Sequence, residues 1–194
     1  MARCAVFASG NGSNFEVIQT AFSTHNQHEL TCLVCDRTNA RVITRALQGA
    51  TPVIPMRYTR DAGGVLDRAA AEKRVVSLLH RLGVDCIVFA GFMRLITPVL
   101  LQAYPQRILN IHPSLLPHHP GAHGLEDSIA SPDSKLGITI HLVDEGMDTG
   151  PIIAQQSFHR TPGATPEQEK AQIHALEHSI YPGVIFEFMD SISQ

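Results

Sequence analysis

The sequence has no tryptophan, few aromatic residues and no long apolar segment. Aromatic residues make up 6% of the 194 residues, while the apolar fraction of 44% is close to the globular average. No apolar run approaches the roughly 20 residues that a membrane-spanning helix requires. The charged fraction of 17% is also too low for a disordered chain. We therefore expect a packed globular protein without a membrane-spanning segment.

Charge of either sign is scarce and well mixed. Fifteen Lys and Arg residues against eighteen Asp and Glu residues give a net charge of -3, and no basic run exceeds two residues. This balance disfavours a general nucleic-acid binder or a membrane-surface binder. Residues 1–9 lack the cationic start and the apolar core of a signal peptide, which predicts a cytoplasmic location.

Cysteine is scarce too, and two of the four cysteines, Cys32 and Cys35, form a CxxC motif. The segment Glu29–Cys35 has the pattern of a buried strand, in which side chains three apart point to opposite faces. Such a pair cannot share one metal ion, and no second CxxC completes a zinc site. We interpret both as ordinary core cysteines.

Strand and helix signals alternate through the first half of the chain. This alternation predicts a parallel sheet with helices on both faces. The predicted strands are Arg3–Ala8, Glu29–Cys35, Pro52–Met56, Asp85–Ala90 and Arg107–Ile111, and the predicted helices are Asn14–Thr24, Ala40–Leu47 and Gly64–Leu82.

The pattern changes toward the C-terminus. Leu136–Val143 alternates, and Pro151–Phe158 follows it across a short loop, which predicts an antiparallel hairpin. Thr165–Gln168 has the capping-box signature of a helix start, and Pro182 is predicted to kink or end that last helix. The predicted fold is α/β, a Rossmann-like three-layer arrangement with a mostly parallel sheet and an antiparallel C-terminal portion. We expect one domain over residues 1–194.

A loop of small polar residues, Gly10-Asn11-Gly12-Ser13-Asn14, lies between the first strand and the first helix. Backbone N–H groups and the helix dipole favour an anion at such a position. The loop has neither the third glycine of a dinucleotide fingerprint nor the Gly-Lys-Ser/Thr of a P-loop. It is either an anion cradle, with Asn14 as the helix N-cap, or a plain tight turn.

Two further motifs carry groups suited to acid–base chemistry. Asn110 and His112 are two apart on a strand end and share one face, where an amide and an imidazole could stabilise an oxyanion and move a proton. Asp144 and Asp148 lie in a glycine-containing loop, and a carboxylate against His112 would hold its tautomer. Taken alone, each motif is more typical of a polar loop satisfied by backbone or solvent.

A metal site is not predicted. Five histidines could supply ligands together with Asp144 or Asp148, but no HExxH or similar helical spacing occurs. Proline and glycine between His112 and His123 also give no rigid chelating pattern. The five histidines are His112, His118, His119, His123 and His141.

Taken together, the motifs carry a resemblance that none of them carries alone. The blocks SGNGSN, AGFMR, NIHPSLLP, DEGMDTGP and EHSIYP occur in this order between residues 9 and 182. NIHPSLLP with a later DxGP resembles the folate-dependent formyltransferase superfamily. The GNGSN loop and Leu116–Gly121 resemble its glycinamide ribonucleotide branch.

The resemblance implies roles for particular residues of this chain. It places phosphate and nucleotide binding in residues 1–90, and folate binding with catalysis in residues 91–194. The implied catalytic residues are Asn110, His112 and Asp148. The implied ribonucleotide-binding residues are Gly12, Ser13, Asn14, His174 and Glu177. The implied folate-binding residues are Arg68, Met93, Arg94, Leu95, Ile96, Asp144, Glu145, Gly146 and Met147.

The implied reaction is transfer of a formyl group from 10-formyltetrahydrofolate to the amine of glycinamide ribonucleotide, in purine synthesis. The implied partners are these small molecules, with no metal, nucleic acid or membrane, and with the protein a monomer or a homodimer. Two alternatives stay open. A formyltetrahydrofolate hydrolase would use the same residues on water, and a non-catalytic nucleotide-binding module would explain the Gly12 loop alone.

Overall fold

A seven-stranded sheet forms the centre of the protein. The computed structural model describes residues 1–60 and 64–193. The strands are β1 (Arg3–Ala8), β2 (Glu29–Cys35), β3 (Val53–Pro55), β4 (Thr59–Arg60), β5 (Leu66–Asp67), β6 (Cys86–Phe89), β7 (Ile108–His112), β8 (Lys135–Leu142) and β9 (Ile152–His159). The helices are α1 (Ser13–Thr24), α2 (Arg41–Gln48), α3 (Arg68–Arg81), α4 (Pro98–Ala103), α5 (Gly124–Ala130) and α6 (Pro166–Ile192).

The sheet has the order β3-β2-β1-β6-β7-β8-β9, and the strand direction reverses only at its β8 and β9 end. Its first five strands in that order run parallel, whereas β8 is antiparallel to β7 and β9 is antiparallel to β8. The predicted fold class and the C-terminal hairpin are therefore confirmed. The small strands β4 and β5 pair with each other outside this sheet.

Hydrophobic side chains cover both faces of the sheet, as expected for strands packed between two helix layers. Alternate residues of β1 point to opposite sides: Val6 packs with α1, α2 and α6, whereas Phe7 packs with α3 and α4. Helix α1, which follows β1, and helix α4, which follows the neighbouring β6, thus lie on opposite faces. A crevice opens between such strands at their carboxyl ends, where ligands bind in open α/β sheets.

The predicted helix Gly64–Leu82 begins later than the sequence analysis proposed. Residues 61–63, which precede it, lie outside the described residues. Leu66 and Asp67 are in β5, and α3 begins at Arg68 because the Asp67 carboxylate accepts a hydrogen bond from Ala70 N at 2.9 Å. An acidic N-cap inside the apolar stripe therefore sets the boundary.

The predicted break at Pro182 does not end the last helix. Helix α6 begins with the predicted capping box at Thr165 and Gln168 and then continues through Pro182 to Ile192. Beyond the proline, Ile185 and Met189 are fully buried against the sheet. Tertiary packing therefore stabilises the last turns, despite the backbone hydrogen bond that the proline removes.

Helices α4 and α5 were missed because six or seven residues show no helical periodicity. Tertiary contacts instead define α4, whose N-cap is Thr97. The buried carboxylate of Glu72 accepts hydrogen bonds from Thr97 N, Thr97 Oγ1 and Leu100 N, at 2.8, 2.5 and 3.2 Å. These contacts satisfy N–H groups that a helix leaves unpaired at its start.

The interpretation of the CxxC motif is confirmed. Cys32 packs with α3 and α4, whereas Cys35 packs on the opposite face, and both are free and buried. Burial raises the pKa of the Cys32 thiol to about 12. A thiol that stays protonated at neutral pH is neither a good nucleophile nor a good metal ligand.

A membrane-spanning helix needs about 20 mostly apolar residues, and the described residues contain the helices α1 to α6. None of them is both long enough and apolar enough to cross a membrane.

Candidate active site

Asn110 and His112 both project from β7, as their spacing predicted. The antiparallel register pairs Asn110 with His141 of β8, and the Asn110 Nδ2 lies 3.2 Å from the His141 Nε2. On the other side of β7, the parallel register pairs Asn110 with Phe89 at the end of β6. The amide of Asn110 therefore lies beside the carboxyl ends of the central strands.

Asp148 lies in the loop that connects β8 and β9, and its carboxylate lies between two imidazole rings. Its Oδ2 is 3.4 Å from His112 Nδ1, and its Oδ1 is 3.5 Å from His141 Nε2. Gly121 N donates a hydrogen bond to Oδ2 at 2.7 Å. The three implied catalytic residues are up to 38 positions apart in the sequence, and the fold brings them together.

The tautomer of His112 follows from its partners. Its Nε2 is 2.8 Å from the backbone carbonyl oxygen of His119. Because a carbonyl oxygen only accepts, Nε2 carries the proton of the neutral ring. The other nitrogen, Nδ1, faces Asp148, so a second proton on this ring would be shared with a carboxylate. The Asp148 carboxylate is therefore placed to stabilise the charged, doubly protonated form of the His112 ring.

His141 is a site residue whose position the sequence analysis missed, since it considered this histidine only as a metal ligand. Its Nδ1 donates to the carbonyl oxygen of Leu142 at 2.9 Å, which leaves Nε2 toward Asn110 and Asp148. Without a proton, Nε2 accepts from the Asn110 amide; with one, it donates toward Asp148. No sequence signal gives the β7–β8 register that creates this contact.

The pKa of Asp148 lies below its ordinary value of 3.8. The hydrogen bond from His141 is the largest cause, and the Gly121 N–H and the charge of His112 act in the same direction, while burial opposes them. Asp148 is therefore an ionised carboxylate at neutral pH.

The loop after β7 is built around the His112 ring. Thr139 of β8 donates to the Ser114 carbonyl oxygen at 2.7 Å and accepts from Leu116 N at 3.0 Å, which ties this loop to the sheet. A Cβ on Gly124 would overlap the His112 ring and the His119 carbonyl. A glycine is therefore required at the start of α5 for this ring position.

The Gly10–Asn14 loop lies at the end of β1, but its capping differs from the prediction. Gly12, with φ +78°, occupies the N-cap position of α1, and Asn14 is inside the helix; no side chain caps the helix start. A Cβ on Gly12 would come within 2.6 Å of Val42 Cβ. Position 12 therefore requires glycine, because α2 approaches closely and because φ is positive.

The implied ribonucleotide-binding side chains converge on this helix start. Glu177 of α6 is only 4% exposed and accepts hydrogen bonds from Asn14 Nδ2 at 3.2 Å and from His174 Nδ1 at 2.9 Å. One turn later, Tyr181 Oη donates to the Phe89 carbonyl oxygen at 2.7 Å. That bond places α6 against the end of β6, beside the Asn110 strand.

The implied folate-binding residues fall into two groups. Met93 and Leu95 are 63% and 61% exposed, and Met147 is also exposed, so these apolar side chains are open to a ligand. Arg68 and Ile96 line a shallow groove of about 550 Å³ between α3 and α4.

The remaining polar residues of this group have partners within the protein. Arg94 Nε donates to the buried Asp36 carboxylate at 2.6 Å, and its guanidinium lies 5.4 Å from the Tyr58 ring centre. Asp144 accepts from Gly146 N at 3.0 Å and from Thr149 Oγ1 at 2.8 Å, which folds the loop that carries Glu145 and Asp148. These contacts shape the site: the Arg94 charge is paired with Asp36, and Asp144 accepts hydrogen bonds from two neutral donors.

Within residues 1–60 and 64–193, no three His, Cys, Asp or Glu side chains come together as metal ligands.

The His141 contact leads to a prediction about Asp148. His141→Ala should raise the pKa of Asp148, because the substitution removes the largest cause of its depression. The carboxyl ¹³C shift of Asp148, followed against pH, measures this change. An unchanged titration in the folded variant would contradict the assigned contact.

The same contact affects stability in acid. A folded-state pKa below the unfolded-state value means that ionised Asp148 stabilises the fold above about pH 4. That contribution is lost as the pH falls through the folded-state pKa, so His141→Ala should diminish it. His159→Ala, at an exposed position of β9, is the matched control.

Comparison with known proteins places this geometry in one family. The sequence profile described as formyl transferase matches residues 2–185. The phosphoribosylglycinamide formyltransferase of Bacillus subtilis is 44% identical over 186 residues, which cover 95% of this chain and 93% of that protein. The protein of that name from Escherichia coli is 32% identical, over 95% of this chain and 86% of its own length.

A solved structure agrees with these sequence relatives. Glycinamide ribonucleotide transformylase 1 from Geobacillus kaustophilus superimposes with a TM-score of 0.90 at 41% identity, covering 97% of this chain and 99% of that chain. Because the profile, the sequence relatives and the solved structure all match nearly the whole length, the chain belongs to the formyl transferase family.

Proposed function

We propose that the protein transfers the formyl group of 10-formyltetrahydrofolate to the amine of glycinamide ribonucleotide. The products are formylglycinamide ribonucleotide and tetrahydrofolate. The observation that carries the proposal is the convergence of Asn110, His112 and Asp148 at the edge of the sheet where β1 also leads into the helix start at Gly12. A non-catalytic nucleotide-binding module gives no reason for this convergence, whereas formyl transfer uses each of these groups.

The neutral amine attacks the formyl carbon, and the carbonyl oxygen becomes an oxyanion in the tetrahedral intermediate. The Asn110 amide has two N–H donors, so it can donate to the oxyanion while it keeps its contact with His141. The doubly protonated ring of His112, whose two N–H groups face the His119 oxygen and Asp148, stabilises the oxyanion through its positive charge. Donors placed before the reaction are effective because they need no reorganisation as charge develops.

Asp148 holds the charged form of His112 and takes part in moving the proton. The attacking amine must lose a proton, and the leaving nitrogen of the folate must gain one. An ionised carboxylate next to His112 Nδ1 can pass that proton through an ordered water. The low pKa of Asp148 keeps the carboxylate ionised for both roles.

The ribonucleotide is held by the α1 helix start and by α6. The uncapped N–H groups around Gly12, Ser13 and Asn14 suit the phosphate, because helix starts favour anions. Glu177 accepts from the ribose hydroxyls, and the His174 N–H that donates to Glu177 offsets part of the carboxylate charge next to the phosphate. This compensation matters in a chain whose net charge is -3.

The folate lies along the second half of the site. The exposed apolar residues Met93, Leu95 and Met147 suit its ring system, and the Asp144–Asp148 loop forms one wall. Arg68, with Ile96, offers a cation in a groove open enough for the carboxylate tail of a folate. On this assignment residues 1–90 are the nucleotide half and residues 91–194 the folate and catalytic half, except that Arg68 serves the folate and His174 and Glu177 serve the ribonucleotide. A cytoplasmic location, and a monomeric or homodimeric state, belong to the same proposal.

A steady-state assay with glycinamide ribonucleotide and 10-formyltetrahydrofolate tests the proposal. Formylated ribonucleotide should form in an amount equal to the tetrahydrofolate released. Formate release that does not depend on the amine would identify a hydrolase instead. Binding of both ligands without turnover would identify the protein as a binding module.

Asn110→Ala should lower kcat by about 10²–10³-fold, the usual cost of removing one oxyanion donor. The Michaelis constants should change little, because the donor acts mainly in the transition state. Initial rates at varied concentrations of each substrate separate the two effects. A loss confined to the Michaelis constants would remove Asn110 from the oxyanion role.

Ser13→Ala should weaken binding of glycinamide ribonucleotide by removing one hydrogen bond, worth about 0.5–1.5 kcal/mol or somewhat more to a charged group. Affinity for a folate analogue should stay unchanged. Calorimetry with each ligand measures both. Substituting Gly12 is the poorer test, because a side chain there would also collide with Val42.

Ser23→Ala, on an exposed turn of the same helix, is the matched control for Ser13→Ala. Equal losses for the two ligands in Ser13→Ala would show that the α1 helix start is not the phosphate site.

A further inference from the structure

The proton position on His112 depends on a backbone carbonyl in a segment without regular structure. His112 Nε2–H donates to the His119 oxygen, and His119 lies between β7 and α5 in the left-handed region, with φ +55°. A non-glycine residue rarely adopts this conformation unless its surroundings hold it. The contacts of His119 therefore decide whether His112 keeps its tautomer.

Two sets of contacts hold His119, and with it this carbonyl, in place. From within the segment, Ser114 Oγ donates to the His118 oxygen at 2.7 Å and to the His119 oxygen at 3.3 Å. From outside it, the His119 ring donates through Nε2 to the Asp133 carboxylate at 3.0 Å. Asp133 also accepts from Ser131 Oγ at 2.9 Å, which orients the carboxylate toward the ring.

Packing alone does not hold the His119 ring. The ring and Asp133 form part of the wall of a cavity of about 240 Å³, whose other lining residues include Leu115 and Lys135. An aromatic ring beside open space is free to change rotamer once its hydrogen-bond partner is lost. Asp133 is therefore the group that fixes this side chain.

The turn that carries Asp133 is itself anchored. Arg160 donates to the Ser131 oxygen at 2.7 Å and to the Ile129 oxygen at 2.8 Å. The same guanidinium forms a two-bond pair with the buried Glu169 of α6, at 2.7 and 2.8 Å. Planar, doubly bonded Arg–carboxylate pairs are the geometrically defined ones. Arg160 and Glu169 therefore hold the turn that carries Asp133 in place.

We propose that the His119–Asp133 pair is a positioning device for formyl transfer. It holds the His119 carbonyl where His112 Nε2–H must donate, and so it keeps His112 Nδ1 turned toward Asp148. Neither residue of the pair is assigned contact with a substrate. The inference rests on the proposed function for its kinetic consequence, but its effect on His112 exists without any substrate.

The kinetic test compares Asp133→Ala, Asp133→Asn and the control Asp127→Ala, which removes an exposed carboxylate from α5. Because the His119–Asp133 pair is partly exposed, we expect Asp133→Ala to lower kcat by only about threefold to fivefold. Both Michaelis constants should stay within about twofold of wild type. Asp133→Asn keeps an oxygen acceptor for His119 and should restore most of kcat, and Asp127→Ala should match wild type.

The structural test uses imidazole ¹⁵N shifts of the unliganded protein, with the His112 signals assigned from their loss in His112→Gln. Wild type should show the proton of the neutral His112 ring on Nε2. Asp133→Ala should shift His112 toward a mixture of tautomers, and Asp133→Asn should not. His119→Asn keeps a residue that tolerates positive φ and should reproduce the Asp133→Ala spectrum, which provides a second route if Asp133→Ala does not fold.

Unchanged His112 shifts in folded Asp133→Ala and His119→Asn would overturn the positioning role, as would equal kcat losses in Asp133→Ala and Asp133→Asn. A wild-type protein with the expected His112 shifts and no formyl transfer would contradict the proposed function instead. The two failures are therefore distinguishable.

Discussion

The position of one carboxylate, that of Asp148, determines how the rest of the site is built. A carboxylate that is mostly removed from water must be paired or hydrogen-bonded, or it becomes neutral. Here two imidazole rings and the Gly121 N–H surround it, and together they keep it ionised. The same contacts turn His112 and His141 in defined directions, so the charge of Asp148 and the orientation of its neighbours depend on each other.

The reversal of strand direction at β8 makes this arrangement possible. In a purely parallel sheet, the strand after β7 would return through a helix, and its residues would pair in a different register. The antiparallel β8 instead places His141 directly opposite Asn110. Its hairpin to β9 then carries Asp148 in the connecting loop. The antiparallel portion therefore adds His141 and Asp148 to the Asn110 and His112 that the parallel strand β7 carries.

The two ligand regions rely on different physical means. At the proposed ribonucleotide side, the buried Glu177 is paired within the protein, where it accepts hydrogen bonds from Asn14 and His174. At the folate side, Met93 and Leu95 are exposed, so binding would remove apolar surface from water. Polar preorganisation on one side and hydrophobic burial on the other suit a small phosphorylated substrate and a large flat one.

The sequence by itself determined the fold class and most strands to within one or two residues, and it predicts the site residues on which the proposed function rests. Alternation and turn signals are local, and NIHPSLLP with DxGP is a dense motif, so both can be read from the chain alone. The short helices α4 and α5 and the continuation of α6 past Pro182 could not be read this way, because packing rather than propensity stabilises them.

Only the tertiary structure decided which polar groups meet. Three contacts join residues distant in sequence: Glu72 accepts hydrogen bonds from the start of α4, His141 lies between Asn110 and Asp148, and His119 pairs with Asp133. Register across β7 and β8 and the path of the loops create these contacts. A single sequence carries no local signal for them, since hydrogen-bond partners are selected by three-dimensional geometry.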